Sequence, residues 1–333
     1  MDSRNRLLGI DIGGTKIAVC VGNREGSILA SDRLHGAAQR PYDEILPELV
    51  GMCRKVVRET GCTLEEVSVC GISTPGPIDL EQGCILKTPN MIWSDVPIRE
   101  DISRALGVKT VMQNDANAGV LVEWFFGVAR GCPNVMYFTM STGIGGGIIA
   151  GGHLVQGRTG NAGEVGHVVL DVDGPLCGCG MHGCFEAFCG GRNVARQLAE
   201  RFGSDPRHPI MRMPEVDGDG SKLNYQTLRE GVKRGIPDAV EFWDRICLRM
   251  AQGLGVFMNT LNPELIVLGT TFYYSGDMLM KPVKELIPRF AWPEMVKSCR
   301  FALPAMGSNI GELAGVAVAL YELYERGEWQ PAS

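Results

Sequence analysis

Two glycine-rich turns, each set between a pair of apolar strands, constrain this chain more than any other feature. Leu7 to Ile12 reads as a strand, Gly13-Gly14-Thr15 as a turn, and Lys16 to Val21 as a returning strand with Ile17, Val19 and Val21 on one face. The pattern recurs at Met136 to Met140, the turn Ser141-Thr142-Gly143, and Gly145 to Ala150. Strand glycines at that density cost stability unless something must approach the backbone closely. Each turn feeds a strand, whereas Rossmann turns and P-loops feed a helix, so neither of those motifs is present here. Two glycine-tipped hairpins predict two related halves.

The rest of the chain supplies α/β elements around them. Helical periodicity runs from about Asp43 to Thr60, with Gly61 as the stop, and from Ala239 to Leu261, closed by Asn262-Pro263. Strands at Val67 to Ser73 and Val108 to Gln113 end in Thr74-Pro75-Gly76-Pro77 and Asn114-Asp115-Ala116-Asn117. Both ends put polar residues beyond the carboxyl edge of a strand, where α/β sheets bind ligands. A strand from Glu264 to Leu268 leads into Gly269, and a final helix, Gly311 to Arg326, begins with a small face suited to close approach to a backbone or a nucleotide. The Pro-, Asp- and Gly-rich stretch from Ser204 to Gly220 is expected to form a long exposed loop.

At 333 residues the chain is about twice a typical domain, so two domains with a cleft between them are expected. A net charge of -6 argues against a nucleic-acid binder, which usually carries a basic face, and favours small-molecule partners. The N-terminus lacks the apolar core of a signal peptide, and no stretch approaches the roughly 18 apolar residues of a membrane span, so a cytoplasmic protein without membrane partners is expected. In such a compartment the twelve cysteines stay free or bind metal.

Three constellations carry chemistry. Asp11-Ile12-Gly13-Gly14-Thr15-Lys16 joins an acidic strand end to backbone amides, a hydroxyl and an ammonium that can meet an anion. A lone run of this kind fits an ordinary tight hairpin. Paired with Ser141 to Gly147, and with Asp11 able to hold Mg²⁺ through water, it reads as a phosphate clamp for a nucleotide. The third is Glu164-Val165-Gly166-His167 followed by Cys177, Cys179 and Cys184, with Glu186 just beyond. Three thiolates and one imidazole make the closed tetrahedral set of a structural zinc site, with His182 and Cys189 as weaker candidates. Asp115 also suits a helix N-cap ahead of Ala116 to Ala129, and Glu164 and Glu186 also suit plain surface positions.

These motifs together resemble the ROK family of bacterial repressors, open reading frames and sugar kinases, within the actin/hexokinase/Hsp70 superfamily. The resemblance is carried by Asp11 to Lys16, Pro75-Gly76-Pro77, Pro89-Asn90, Asn114-Asp115, Thr142 to Gly147, Glu164-x-x-His167, the CxCGxxGCxE run ending at Glu186, and the helix from Gly311. It implies a two-domain α/β fold of the actin-like, hexokinase (ribonuclease H-like) ATPase type with an interdomain cleft. Residues 1–115 plus about 309–333 would form a small domain, and 116–308 a larger one with the zinc. It implies a hexose kinase, glucose first, that uses ATP, Mg²⁺ and structural Zn²⁺. Asp115 would be the general base, and Asn90, Asn114, Asp115, Glu164, His167 and Glu186 the sugar ligands. Asp11, Gly13, Gly14, Thr15, Lys16, Thr142, Gly143 and Gly269 would hold ATP, and His167, Cys177, Cys179 and Cys184 the zinc.

A homo-oligomer, dimer or tetramer, is implied as well. N-acetylmannosamine, fructose and allose kinases share many of these motifs, and a non-catalytic sugar-binding regulator is the alternative from another class. Repressors of the family carry a helix-turn-helix domain before the first hairpin, whereas ten residues precede Asp11, so DNA binding is not expected. The family usually has glycines after the strand that approaches adenosine; here Thr270-Thr271-Phe272 follow Gly269, which predicts altered adenine packing.

Overall fold

The computed structural model describes residues 6–88, 91–307 and 310–331. By its internal contacts the chain forms two compact units. The first comprises residues 1–133, 147–163 and 304–333, and the second 134–146 and 164–303.

The first unit is built on strands β1 (Arg6–Ile12), β2 (Lys16–Gly22), β3 (Ile28–His35) and β4 (Val67–Thr74), with a short pair, β5 (Ile78–Asp79) and β6 (Cys84–Ile85), and then β7 (Thr110–Asn114). Its helices are α1 (Tyr42–Glu59), α2 (Ile98–Leu106) and α3 (Asp115–Phe125). The five-stranded sheet has the order β3-β2-β1-β4-β7, with antiparallel pairing through β3-β2-β1 and parallel pairing from β1 to β4 to β7. Helix α1 covers this sheet with one apolar stripe: Ile45, Leu49, Met52, Cys53 and Val56 recur at helical spacing and join Leu8, Ile10, Ile17, Val19 and Ile72 in one core.

The second sheet comprises β8 (Val135–Met140), β9 (Ile144–Ala150), β10 (His153–Leu154), β11 (Leu265–Leu268) and β12 (Arg300–Ala302), in the order β10-β9-β8-β11-β12. It repeats the first: a hairpin and third strand on one side, two parallel strands on the other, so the two related halves expected from the glycine turns are present as sheets. The chain passes between units within β9. The helices of the second unit are α4 (Phe185–Cys189), α5 (Gly191–Phe202), α6 (Tyr225–Lys233), α7 (Pro237–Leu261), α8 (Thr271–Ser275), α9 (Asp277–Leu286) and α10 (Pro293–Ser298). The final helix, α11 (Ile310–Glu325), belongs to the first unit.

Helix α11 packs on β1 and β4 because glycines clear the way. A Cβ at Gly9 would sit 2.7 Å from the Val316 nitrogen, and one at Gly71 would overlap the Gly315 carbonyl. The small face of this helix therefore serves close approach to the sheet backbone. Helix α3 packs against α11, and the first unit continues past the boundary expected at residue 115 to residue 133 and takes in 147–163.

The stretch 204–219 has no regular helix or strand, but it is not simply an exposed loop. Ile210, Met211, Met213 and Val216 are buried, anchoring the segment through its own apolar side chains. No helix among the described residues is long and apolar enough to cross a membrane.

Candidate functional site

In the first unit, polar side chains collect at the carboxyl ends of three adjacent strands. Asp11 near the end of β1 pairs in register with Ser73 of β4, and Thr74 of β4 pairs with Asn114 of β7. Burial pushes the Asp11 carboxyl up to about 6 and the nearby Asp115 charge adds to the rise, while Ser73 and Lys16 oppose it. Ser73 Oγ is close enough to favour the charged form of Asp11 without reaching the geometry of a satisfied hydrogen bond. Among the described residues neither Ser73 Oγ nor Thr74 Oγ1, both buried, has a hydrogen-bond partner. In the adjoining turn the Gly13 amide donates to the Lys16 carbonyl at 2.9 Å, and a Cβ on Gly13 would lie 3.2 Å from that oxygen. Thr15 is exposed at the tip and Lys16 half-buried where β2 begins.

Asp115 is the exposed first residue of α3, and every other residue of that helix is buried. The N-cap is Asn114, whose Oδ1 accepts from the Asn117 amide at 2.7 Å, and the helix ends at Phe125 where the sequence suggested Ala129. The capping role considered for Asp115 thus falls to its neighbour, and the Asp115 carboxylate sits at the positive end of the helix dipole. Asn90 lies outside the described residues.

In the second unit, Glu164, His167, the cysteine loop and Glu186 come together. The ligand atoms of His167, Cys177, Cys179 and Cys184 all lie within 4.8 Å of one another. His167 Nδ1 is 3.7 Å from Cys177 Sγ, and Cys179 Sγ is 3.7 Å from Cys184 Sγ. A tetrahedron with Zn–S bonds of about 2.3 Å has edges of about 3.8 Å, so the donor set and the two short spacings fit zinc. Burial and the neighbouring thiols push Cys184 up to about 12, and burial raises Cys177. At Cys179 burial also raises the thiol, but the Met181 amide and the other two sulfurs outweigh it and hold it below the ordinary value.

The other ring nitrogen of His167, Nε2, lies 4.0 Å from Glu164 Oε2, so the ring has one edge toward the cysteines and the other toward the exposed Glu164. His182 and Cys189 stand apart: His182 Nδ1 is 3.1 Å from the Gly174 carbonyl, and the Cys189 thiol points at the Ile246 carbonyl.

Glu186, in α4 two residues past Cys184, accepts the Ile144 amide on Oε2 at 2.8 Å, at the start of β9. A Cβ on Gly143 would overlap the same oxygen and displace the Glu186 carboxylate. The turn is also held by the amides of Gly191 and Arg192, which donate to the carbonyls of Ser141 and Thr142 at 2.9 Å each. Beside this turn, the Gly269 amide donates to the Phe138 carbonyl at 2.8 Å, and Thr271 Oγ1 donates to the Met140 carbonyl at 2.6 Å.

The family profile for ROK matches residues 7–321. The chain belongs to the ROK family. A glucokinase of Thermotoga maritima is 29% identical over 314 residues, covering 94% of this ROK chain and 96% of that protein. The crystal structure of a ROK hexokinase from Thermus thermophilus superimposes with a TM-score of 0.83 at 28% identity, over 96% of this chain and 99% of that one. That of a ROK glucokinase from Streptomyces griseus, in complex with glucose and AMPPNP, gives 0.73 at 28% identity, over 94% and 99%. A xylose repressor of Bacillus spizizenii is 27% identical over 94% of this chain and 76% of the repressor. The fold is that of the actin-like ATPases.

Within this ROK chain the Thr270 substitution noted in the sequence has a backbone consequence. Thr270 adopts φ 46° and ψ -91°, a region that favours glycine and that a β-branched residue occupies only under strain.

Two further residues escaped the motif reading. Glu123, fully buried in α3, accepts the amides of Val128 at 3.0 Å and of Ala305 and Met306 at 3.2 Å each, tying the segment before α11 to α3. Arg249 of α7 donates to Asp171 at 2.7 Å and to Gln252 at 2.9 Å, with its guanidinium carbon 4.3 Å from the centre of the Phe188 ring. A charged residue in the apolar run from Ala118 to Phe125 was the available signal for Glu123; nothing local marked Arg249.

Proposed function

We propose that this chain is an ATP-dependent hexose kinase that phosphorylates the 6-hydroxyl of glucose, with Asp115 as the general base. The observation that carries the reading is the placement of Asp115: an exposed carboxylate at the first position of a helix whose other residues are buried, at the carboxyl end of β7. Glucokinases among the relatives, one solved with glucose and AMPPNP, support the sugar and the donor.

Asp115 takes the proton of the sugar hydroxyl as its oxygen attacks the γ-phosphorus of ATP. The new O–P bond forms as the bond from the γ-phosphorus to the bridging oxygen breaks, and ADP leaves with that electron pair. Phosphoryl transfer asks mainly for positioning and charge neutralisation. The turns at Gly13-Gly14-Thr15 and Thr142-Gly143 offer backbone amides to the phosphates, Lys16 offers a cation, and Gly269 lies on the nucleoside side. When bound, Mg²⁺ neutralises phosphate charge, and Asp11 would hold it through water.

Asn90, Asn114, Glu164, His167 and Glu186 hydrogen-bond the remaining hydroxyls; a sugar presents a ring of donors and acceptors, and carboxylates and amides satisfy adjacent hydroxyls while rejecting analogues that leave them unpaired. His167, Cys177, Cys179 and Cys184 would hold zinc, which when bound supplies a fixed anchor for the tautomer and direction of the His167 ring.

The test is ADP release measured over a panel of hexoses and N-acetylhexosamines. Glucose is expected to stimulate ATP consumption most, with glucose 6-phosphate formed in equal amount. If no sugar stimulates it, the kinase reading is wrong and a sugar-binding regulator takes its place.

A further inference from the structure

We propose that Glu186 couples sugar binding to nucleotide binding, by holding the glycine turn between β8 and β9 with one carboxylate oxygen and a sugar hydroxyl with the other. The proposal rests on the sugar-kinase reading above.

Glu186 reaches back from α4 to a turn more than forty residues earlier in the sequence, where Oε2 accepts the Ile144 amide at 2.8 Å. No hydrogen bond reaches Oε1 among the described residues. An ionised carboxylate offers about four acceptor sites on two oxygens, so a second donor can bind without displacing the first.

The turn has two kinds of anchor. The bonds from Gly191 and Arg192 run backbone to backbone and are fixed by the start of α5. The bond from Ile144 depends on a single side chain, whose torsions a ligand on Oε1 can hold. Gly143 makes this contact tight, since nothing but hydrogen fits between its Cα and Oε2. A sugar that fixes the carboxylate therefore also fixes the Ile144 amide and the Thr142-Gly143 backbone that would meet the phosphates. Binding that orders a shared element lowers the cost for the second ligand, and the effect is reciprocal.

The experiment measures the dissociation constant of AMPPNP by calorimetry, with and without saturating glucose, for the wild type, Glu186→Asp and Glu186→Gln. In the wild type glucose should tighten AMPPNP binding by roughly fivefold or more, within the usual range of such couplings. Asp keeps the charge but is one methylene too short to span both partners, so the factor should fall to about one. Gln keeps the reach but has one acceptor for two donors, so its factor should be one or less.

A readout independent of the variants is hydrogen exchange in the wild type: glucose alone should slow exchange in the peptide containing residues 141–146. Unchanged exchange there, a wild-type factor of one, or a folded variant that keeps the wild-type factor overturns the coupling. Failure of the wild type to bind glucose at all would instead sink the sugar-kinase reading, and this inference with it.

Discussion

Asp11 shows how a single residue trades stability for a site. Its folded carboxyl titrates at about 6 against an ordinary 3.8, chiefly because burial penalises the charge and Asp115 repels it. The folded state therefore binds more protons than the unfolded chain between those values, and stability is lost as pH rises from about 4 to about 6. Asp11→Asn should raise the stability of the metal-free protein at pH 8 by about 1–2 kcal/mol, a gain that disappears below pH 4. Thermal midpoints at the two pH values check this; no gain at pH 8 would contradict it. The sequence made Asp11 legible through its place before two glycines, but not its ionisation, which depends on β4 and α3. Residue types also marked Thr270 as unusual, while its positive φ emerges only from the way β11 hands over to α8. At Asn114-Asp115 the sequence pointed to Asp115 as the cap, and the hydrogen bond from the Asn117 amide to Asn114 Oδ1 places it one residue earlier.

At the scale of elements, the loop from His167 to Cys184 and the helix α4 behave as one piece. Arg249 grips the loop through Asp171 and stacks on Phe188 of α4, while Gln252 donates to the Leu170 carbonyl at 3.0 Å. Purified protein should contain about one zinc per chain, and Cys179→Ser should lose both the zinc and most of its glucose affinity. Metal analysis and calorimetry read these out; a zinc-free protein with full activity would contradict the bracing role. Long periodic elements such as α1 and α7 were legible because their apolar stripes repeat over several turns. The segment 204–219 was not, since irregular backbone has no period and its buried Ile210, Met211, Met213 and Val216 follow no simple spacing. Glu123 was equally hidden, because its amide partners at Val128, Ala305 and Met306 come from two distant stretches.

For the whole molecule, the two glycine hairpins announced the architecture: two five-stranded sheets of matching order, one closed on by α11 through Gly9 and Gly71. The candidate site was legible in its residues because its chemistry is concentrated in short motifs. The link between Glu186 and the β8–β9 turn was not, since it joins two of those motifs through a fold contact. The central claim is that this scaffold serves phosphoryl transfer with Asp115 as the base, and it is tested most directly by Asp115→Asn. The variant keeps the size of the side chain and, with Asn114 still capping α3, should fold as the wild type does. Its turnover of ATP with glucose should fall by roughly 10²- to 10⁴-fold, while the glucose dissociation constant stays within a few-fold of the wild type. Near-normal turnover in that variant would contradict the account.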